Sequence, residues 1–167
     1  MLRFGLLIAL GTLALDQITK WSVMTGLFGL PFWQPAPGFP WEDGVTVTGF
    51  FNLVTVWNRG VSFGLFSNAS HIGPWALSAV AAVISVILVF WLRKTENRLL
   101  GVGLGMILGG AIGNVIDRVR FGAVFDFLDF HAVGYHWPAF NLADCGVVVG
   151  VFFVLLDGIF ARDTVRE

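Results

Sequence analysis

The side chains with the most chemistry to offer are aspartates: Asp16, Asp117, Asp126, Asp129 and Asp144. Two carboxylates that share a site cannot both ionise cheaply. One keeps its proton as a general acid while its neighbour takes a proton from an attacking water, and a peptide bond can be hydrolysed that way without metal or cofactor. Spacing alone leaves open which two would pair. It does collect their neighbours: Gly110, Asn114 and Asp117 follow i, i+4, i+7, and Arg118 lies four residues after Asn114. On a helix the first three share a face, and Asn141 with Asp144 share one on another helix. A reading without catalysis pairs Asp16 with Lys20 and Asp117 with Arg118 as ionic fasteners between helices.

Other chemistries have weaker signals. Gly60-Val61-Ser62-Phe63-Gly64 has the form of a nucleophile elbow, which carries meaning only on a strand, turn and helix with a matching histidine and acid. Cys145 could pair with His131 or His136, but the adjacent carboxylate of Asp144 works against a thiolate there. Being the only cysteine, Cys145 makes no internal disulfide, and its apolar neighbours read as the setting of a small buried hydrophobe. Two loop histidines without an H-E-x-x-H helix predict no metal site.

The elements that must position these residues are membrane spans. The chain is 56% hydrophobic and 13% charged, and its mean hydropathy of +0.80 is far above that of soluble domains. A net charge of -1 with no basic run excludes a nucleic-acid surface. Four apolar stretches, approximately 2–27, 74–92, 99–119 and 139–161, are each long enough to cross ~30 Å of hydrocarbon as helix. The first lacks a small-x-small cleavage pattern at Leu13-Ala14-Leu15-Asp16 and is expected to be a retained helix. The expected fold is an integral membrane, mainly α, four-helix bundle forming a single domain over 1–167, with outer segments at about 28–73 and 120–138.

Orientation follows from the cations. Arg3, the group Arg93, Lys94 and Arg98, and the tail residues Arg162 and Arg166 all fall on one side, which the positive-inside rule makes cytoplasmic, together with both termini. Trp75 and Trp91 bracket the second span as interfacial anchors, and Trp21, Trp33, Trp41, Trp57 and Trp137 are expected at an aromatic outer interface. With the first and third spans running outward and the fourth inward, Asp16, Lys20, Asn114, Asp117, Arg118, Asn141 and Asp144 reach one depth near the outer face. Asp126 lies just beyond, and Asp157 alone is near the inner end. A charge at the bilayer centre costs ~2.5 to 3.5 kcal/mol on insertion scales, so such a gathering asks for pairing, water or function. Structural fasteners have no reason to accumulate at one depth. An ion carrier would need polar groups through the full depth, and a purely structural subunit would leave each acid replaceable.

Gly101, Gly105, Gly109 and Gly113 recur every four residues and predict a ridge along which another helix packs closely. In the first outer segment, Val45 to Trp57 is β-branched and partly alternating, which predicts a short sheet on the membrane surface. The stretch from Arg120 to Trp137 reads equally as connector or lid.

Five boxes resemble those of lipoprotein signal peptidase, also called signal peptidase II, in order and spacing. They are Asp16-Gln17-Ile18-Thr19-Lys20, Phe51-Asn52-Leu53 followed by Asn58-Arg59-Gly60, Gly109 through Arg118, Val124-Phe125-Asp126-Phe127, and Phe140-Asn141-Leu142-Ala143-Asp144. The resemblance implies a bacterial inner-membrane aspartyl endopeptidase that removes signal peptides from prolipoproteins whose lipobox cysteine carries diacylglyceryl, working without cofactor beside membrane lipid and taken as a monomer. Carried over by position, it makes Asp126 and Asp144 the catalytic pair. Asn114, Arg118 and Asn141 then support the pair and the substrate backbone, Asn52 helps position substrate, and Asp16 and Lys20 support from the first helix, with Gly110 and Asp117 in the same set. Asp129 falls outside the pair. The chain departs from the family at Val61-Ser62, where Ala-Ala is usual, and in the Pro-rich insert from about Pro31 to Pro40.

Overall fold

The computed structural model describes residues 1–31, 33, 44–60 and 72–163. Most of the Pro-rich insert, Trp41, Ser62 and Arg166 lie outside them. The helices are α1 (Leu2–Trp21), α2 (Ile72–Lys94), α3 (Arg98–Phe121) and α4 (Leu142–Asp163); the strands are β1 (Val45–Thr48), β2 (Phe51–Asn58), β3 (Val124–Ala132) and β4 (Tyr135–His136). Among the described residues, four helical segments are long and apolar enough to cross a membrane: Leu2–Leu27, Gly73–Lys94, Arg98–Phe121 and Leu142–Phe160. The expected spans are therefore present. The fourth begins three residues later than 139, because Phe140 is captured by β3: its N–H donates to the Leu128 carbonyl, and its own carbonyl accepts from Phe127 and Leu128. Beyond Trp21, α1 continues as a π-helical turn over Ser22–Leu27, in which Phe28 N–H reaches back five residues to Val23.

The chain divides into two compact units. The first contains Met1–Asp16, Ala81–Gly113 and the residues from Leu142 onward. Small residues let its helices touch. A Cβ on Gly105 would meet the carbonyl of Gly5 and the side chain of Ile8, and one on Gly109 would meet Ala9 and Thr12, so the glycine ridge packs on α1. A second glycine face of α3 meets α4, where Gly103 and Gly150 oppose each other and Gly110 lies against the Ala143 carbonyl. Leu88, Leu92, Leu104, Leu108 and Ala9 form the core, while Leu7, Leu10, Val83, Ile87 and Leu155 point outward. Apolar groups on the outside are stable only where the surroundings are apolar too.

This contact yields a direct prediction. A Cβ at Gly150 would lie 2.6 Å from the Gly103 carbonyl oxygen and 3.0 Å from the Ile107 nitrogen, both backbone atoms with nowhere to go. Gly150→Val should cost ~1 to 3 kcal/mol or more, read as an earlier thermal unfolding in detergent. Gly158→Ala, which meets nothing within 4 Å, should not. Equal effects would mean that α3 and α4 do not touch there.

The second unit contains the described residues of Gln17–Val80 together with Asn114–Asn141. Its sheet has the order β1-β2-β3-β4, every neighbouring pair antiparallel. The stretch left open between connector and lid is thus mostly strand. Gly122, at φ 71, ends α3 with its N–H on the Arg118 carbonyl and turns the chain into β3. One face of β2 and β3 presents Trp57, Phe125 and Phe127, which pack with Phe121, Ala123 and Met24 as an aromatic core. Trp57 was expected at the interface. It is 4% exposed instead, because β2 turns that residue toward Phe121 and Phe125, while Trp21, Trp33, Trp75, Trp91 and Trp137 are open.

Candidate active site around Asp126

Asp126 is built into the sheet. A bulge in β2 between Leu53 and Val56 sets Val56 opposite Asp126 and puts Asn58 two residues along the same face. Asn58 Nδ2 donates to Asp126 Oδ2 at 3.0 Å, and its Oδ1 is committed to the N–H of Gly60 at 2.8 Å, so its amide can face only one way. Asn141, one residue before α4, donates from Nδ2 to Asp126 Oδ1 at 2.6 Å and to Asn114 Oδ1 at 3.2 Å. Each oxygen of a carboxylate that is 1% exposed therefore has an amide donor fixed by the fold.

The network continues into the helix ends. Asn114 Oδ1 also accepts from Lys20 Nζ at 3.2 Å, and Lys20 pairs with Asp117 Oδ2 at 2.8 Å, both side chains being almost fully buried. Asp117 accepts from Gln17 Nε2 on its other oxygen at 3.1 Å and from the backbone N–H of Phe125 at 3.2 Å. Through Asp117 the ends of α1 and α3 hold the first residues of β3, one position before Asp126. Arg118 donates from Nη1 to the Asn114 carbonyl at 3.4 Å. Burying two charges is expensive, and it is tolerated here because the pair is closed by additional hydrogen bonds.

In the first unit, fully buried Asp16 accepts the N–H of Ala143 on Oδ1 at 2.9 Å, placing a carboxylate at the N-terminus of α4 where the helix dipole favours it. Gly113 leaves it room, since a Cβ there would lie 2.5 Å from Asp16 Oδ2. Asp144 stands half-buried in the first turn of the same helix. Gly110, grouped with the site residues by spacing, admits the α4 backbone at Ala143. Cys145 is half-buried with a free thiol, and Asp157 keeps a buried Oδ1 without a hydrogen-bond partner. Among the described residues no three of His, Cys, Asp and Glu gather as metal ligands.

Asp129 belongs to a separate cluster. Asn52 stands opposite it across β2 and β3 and donates from Nδ2 at 2.9 Å; His136 Nδ1 lies 2.9 Å from both carboxylate oxygens, its ring stacked on His131. Burial pushes the Asp129 carboxyl up, but the hydrogen bonds from Asn52 and His136 and the histidine charges outweigh it and hold it below its ordinary value. A carboxyl lowered by folding stabilises the protein above its ordinary value of 3.8, and that contribution is lost as pH falls through the lowered value. Asp129→Asn should therefore reduce stability near neutrality and flatten the remaining pH dependence below about 3.8, measured by thermal unfolding against pH. An unchanged acid slope would remove Asp129 from the pairing.

Asn58 and Gln17 belong to the network although the sequence assigns neither of them a role. Gln17 is three residues before Lys20, hence on its helix face, and that signal was available. Asn58 stands in the second of the family-like boxes, but its place beside Asp126 depends on the bulge.

Residues 8–160 match the family model described as signal peptidase (SPase) II. The chain is 44% identical over 161 residues to a lipoprotein signal peptidase of Methylobacterium sp. (strain 4-46), covering 96% of this chain and 92% of the relative. It is 46% identical over 153 residues to a lipoprotein signal peptidase of Oleidesulfovibrio alaskensis, covering 90% of each. Among solved structures, a bacterial membrane enzyme determined by the in meso method at 2.3 Å superposes with a TM-score of 0.73 at 28% identity, covering 98% of this chain and 90% of that one.

Proposed function

The chain belongs to the signal peptidase II family of bacterial membrane proteins, and on that premise we propose that it is an aspartyl endopeptidase that cuts signal peptides from diacylglyceryl-modified prolipoproteins, with Asp126 and Asp144 as its water-activating pair. The observation that carries the reading is the setting of Asp126: a buried carboxylate whose two oxygens are held by Asn58 and Asn141. Asn141 is also three residues before Asp144 in the chain.

In the reaction, one carboxylate takes a proton from water and the resulting hydroxide adds to the scissile carbonyl carbon. The other carboxyl gives its proton to the carbonyl oxygen; the tetrahedral intermediate then collapses as the first carboxyl passes the proton it took from water to the leaving amine and the second takes a proton back from the intermediate's hydroxyl. Neither step calls for a cofactor. Asn114, Arg118 and Asn141 support the pair and the substrate backbone, Asn52 positions substrate, and Asp16, Lys20 and Asp117 hold the helix ends. The enzyme acts as a monomer in the bacterial cytoplasmic (inner) membrane, with both termini cytoplasmic and the acids toward the outer face.

Purified protein in detergent should release the signal peptide from a prolipoprotein bearing a diacylglyceryl cysteine and leave the unlipidated precursor intact, followed by mass spectrometry. Ser62→Ala and Cys145→Ala should cleave as the parent does. Loss of cleavage in either, with folding preserved, would replace the two-acid scheme with nucleophilic catalysis, and no cleavage by the parent would sink the peptidase reading.

A further inference from the structure

The amides around Asp126 can turn only one way. Lysine donates and never accepts, so the Lys20 ammonium, 3.2 Å from Asn114 Oδ1, fixes that side chain with its oxygen toward the charge. The same oxygen takes one proton of Asn141 Nδ2 at 3.2 Å, and Nδ2 gives its other proton to Asp126 Oδ1 at 2.6 Å. From β2, the N–H of Gly60 claims Asn58 Oδ1 at 2.8 Å and leaves Nδ2 for Asp126 Oδ2 at 3.0 Å. Exchanging nitrogen and oxygen in any of the three amides would set like against like: two donors at Lys20 or Gly60, two acceptors between Asn114 and Asn141.

Both oxygens of Asp126 therefore meet N–H groups whose direction is inherited from donors that cannot reverse. A carboxylate, which only accepts, suits that setting; a carboxyl proton on either oxygen would find a donor at these contacts and not an acceptor. The charges on the neighbouring elements act in the same sense. Lys20 of α1 closes on Asp117 of α3 at 2.8 Å, which leaves the last turn of α3 with the cations Arg118 and Arg120. Asp129 lies on the opposite face of β3, where Asn52 and His136 engage it.

Resting on the two-acid reading, we propose that these oriented donors keep Asp126 ionised, which makes it the base that takes the proton from water and Asp144 the acid. Asn58 is then a positioning residue that sets the acid limit of cleavage. Its loss removes one of the two printed donors to the anion and leaves the path through Lys20, Asn114 and Asn141 in place.

The test is the pH profile of kcat/KM on a diacylglyceryl-modified lipobox peptide without Asp, Glu or His. Its acid limb reports the base of the free enzyme and its alkaline limb the acid, each an apparent property of the pair. Asn58→Ala should move the acid limb up by about one pH unit and leave the alkaline limb in place. Asn58→Asp keeps an oxygen for Gly60 but sets a second anion against Asp126, and should move the same limb further. An infrared difference spectrum between the parent and Asp126→Asn at neutral pH needs no change at Asn58, and should show the loss of an ionised carboxylate stretch. Movement of the alkaline limb instead, no movement of either, or loss of a protonated carboxyl stretch, with both acids still essential, would overturn the division of roles and leave the pair standing. If the parent leaves the peptide intact, or Asp126→Asn keeps substantial turnover, the two-acid reading has failed and the division of roles with it.

Discussion

Asp126→Asn and Asp144→Asn should each insert and fold like the parent yet lose cleavage of a lipidated prolipoprotein by ~10²- to 10⁴-fold or more, the range supplied by general acid and base catalysis. Asparagine keeps the size of each side chain and can still hydrogen-bond, so the change isolates proton transfer. At position 126 the amide must turn one nitrogen toward a donor, Asn58 or Asn141, which predicts a small further loss of order in that side chain. The double variant should be little worse than either single one, because groups acting as one catalytic unit fail together. Asp157→Asn is the control: it lies 13 residues beyond Asp144 on α4, ~20 Å of helical rise away, too far for direct proton transfer. The assay is cleavage at matched protein levels in membranes. Substantial turnover by Asp126→Asn or Asp144→Asn, or loss confined to Asp157→Asn, would end the assignment of the pair.

Breaking the buried ion pair should have the second large effect. Lys20→Met removes the cation paired with Asp117 and leaves it the neutral donors Gln17 and the N–H of Phe125, in a site almost closed to water. Removing one partner of such a pair typically costs ~3 to 5 kcal/mol, because the remaining charge stays desolvated. The expected result is a large fall in unfolding temperature in detergent and, since Lys20 also holds Asn114, a looser Asn141 and weaker cleavage. Removing both charges, as Lys20→Met with Asp117→Leu, should recover much of the stability without restoring the strand tether to Phe125. If Lys20→Met unfolded at the parental temperature, the pair would be too well hydrated to organise the site.

Sequence by itself determined the spans, because partition into lipid sums over consecutive residues and needs no knowledge of the rest of the chain. The same local logic revealed the glycine ridge of α3, the strand character of Val45 to Trp57 and the shared face of Asn114 and Asp117. Composition could not rank the acids, and the choice of Asp126 and Asp144 among them rests on the resemblance of the ordered boxes. Tertiary structure decided the partners. Asp16 accepts the N–H of Ala143, 127 residues further along the chain, and Lys20 closes on Asp117, two contacts that spacing within the first helix does not announce. Trp57 read as an interfacial anchor and became core, and Arg120 to Trp137 gave no sign of joining β2. Strand pairing depends on register between segments far apart in the chain, and one bulge between Leu53 and Val56 changes which residue faces which. The position of Asn58 beside Asp126 follows from that bulge, so no local pattern in the sequence could carry it.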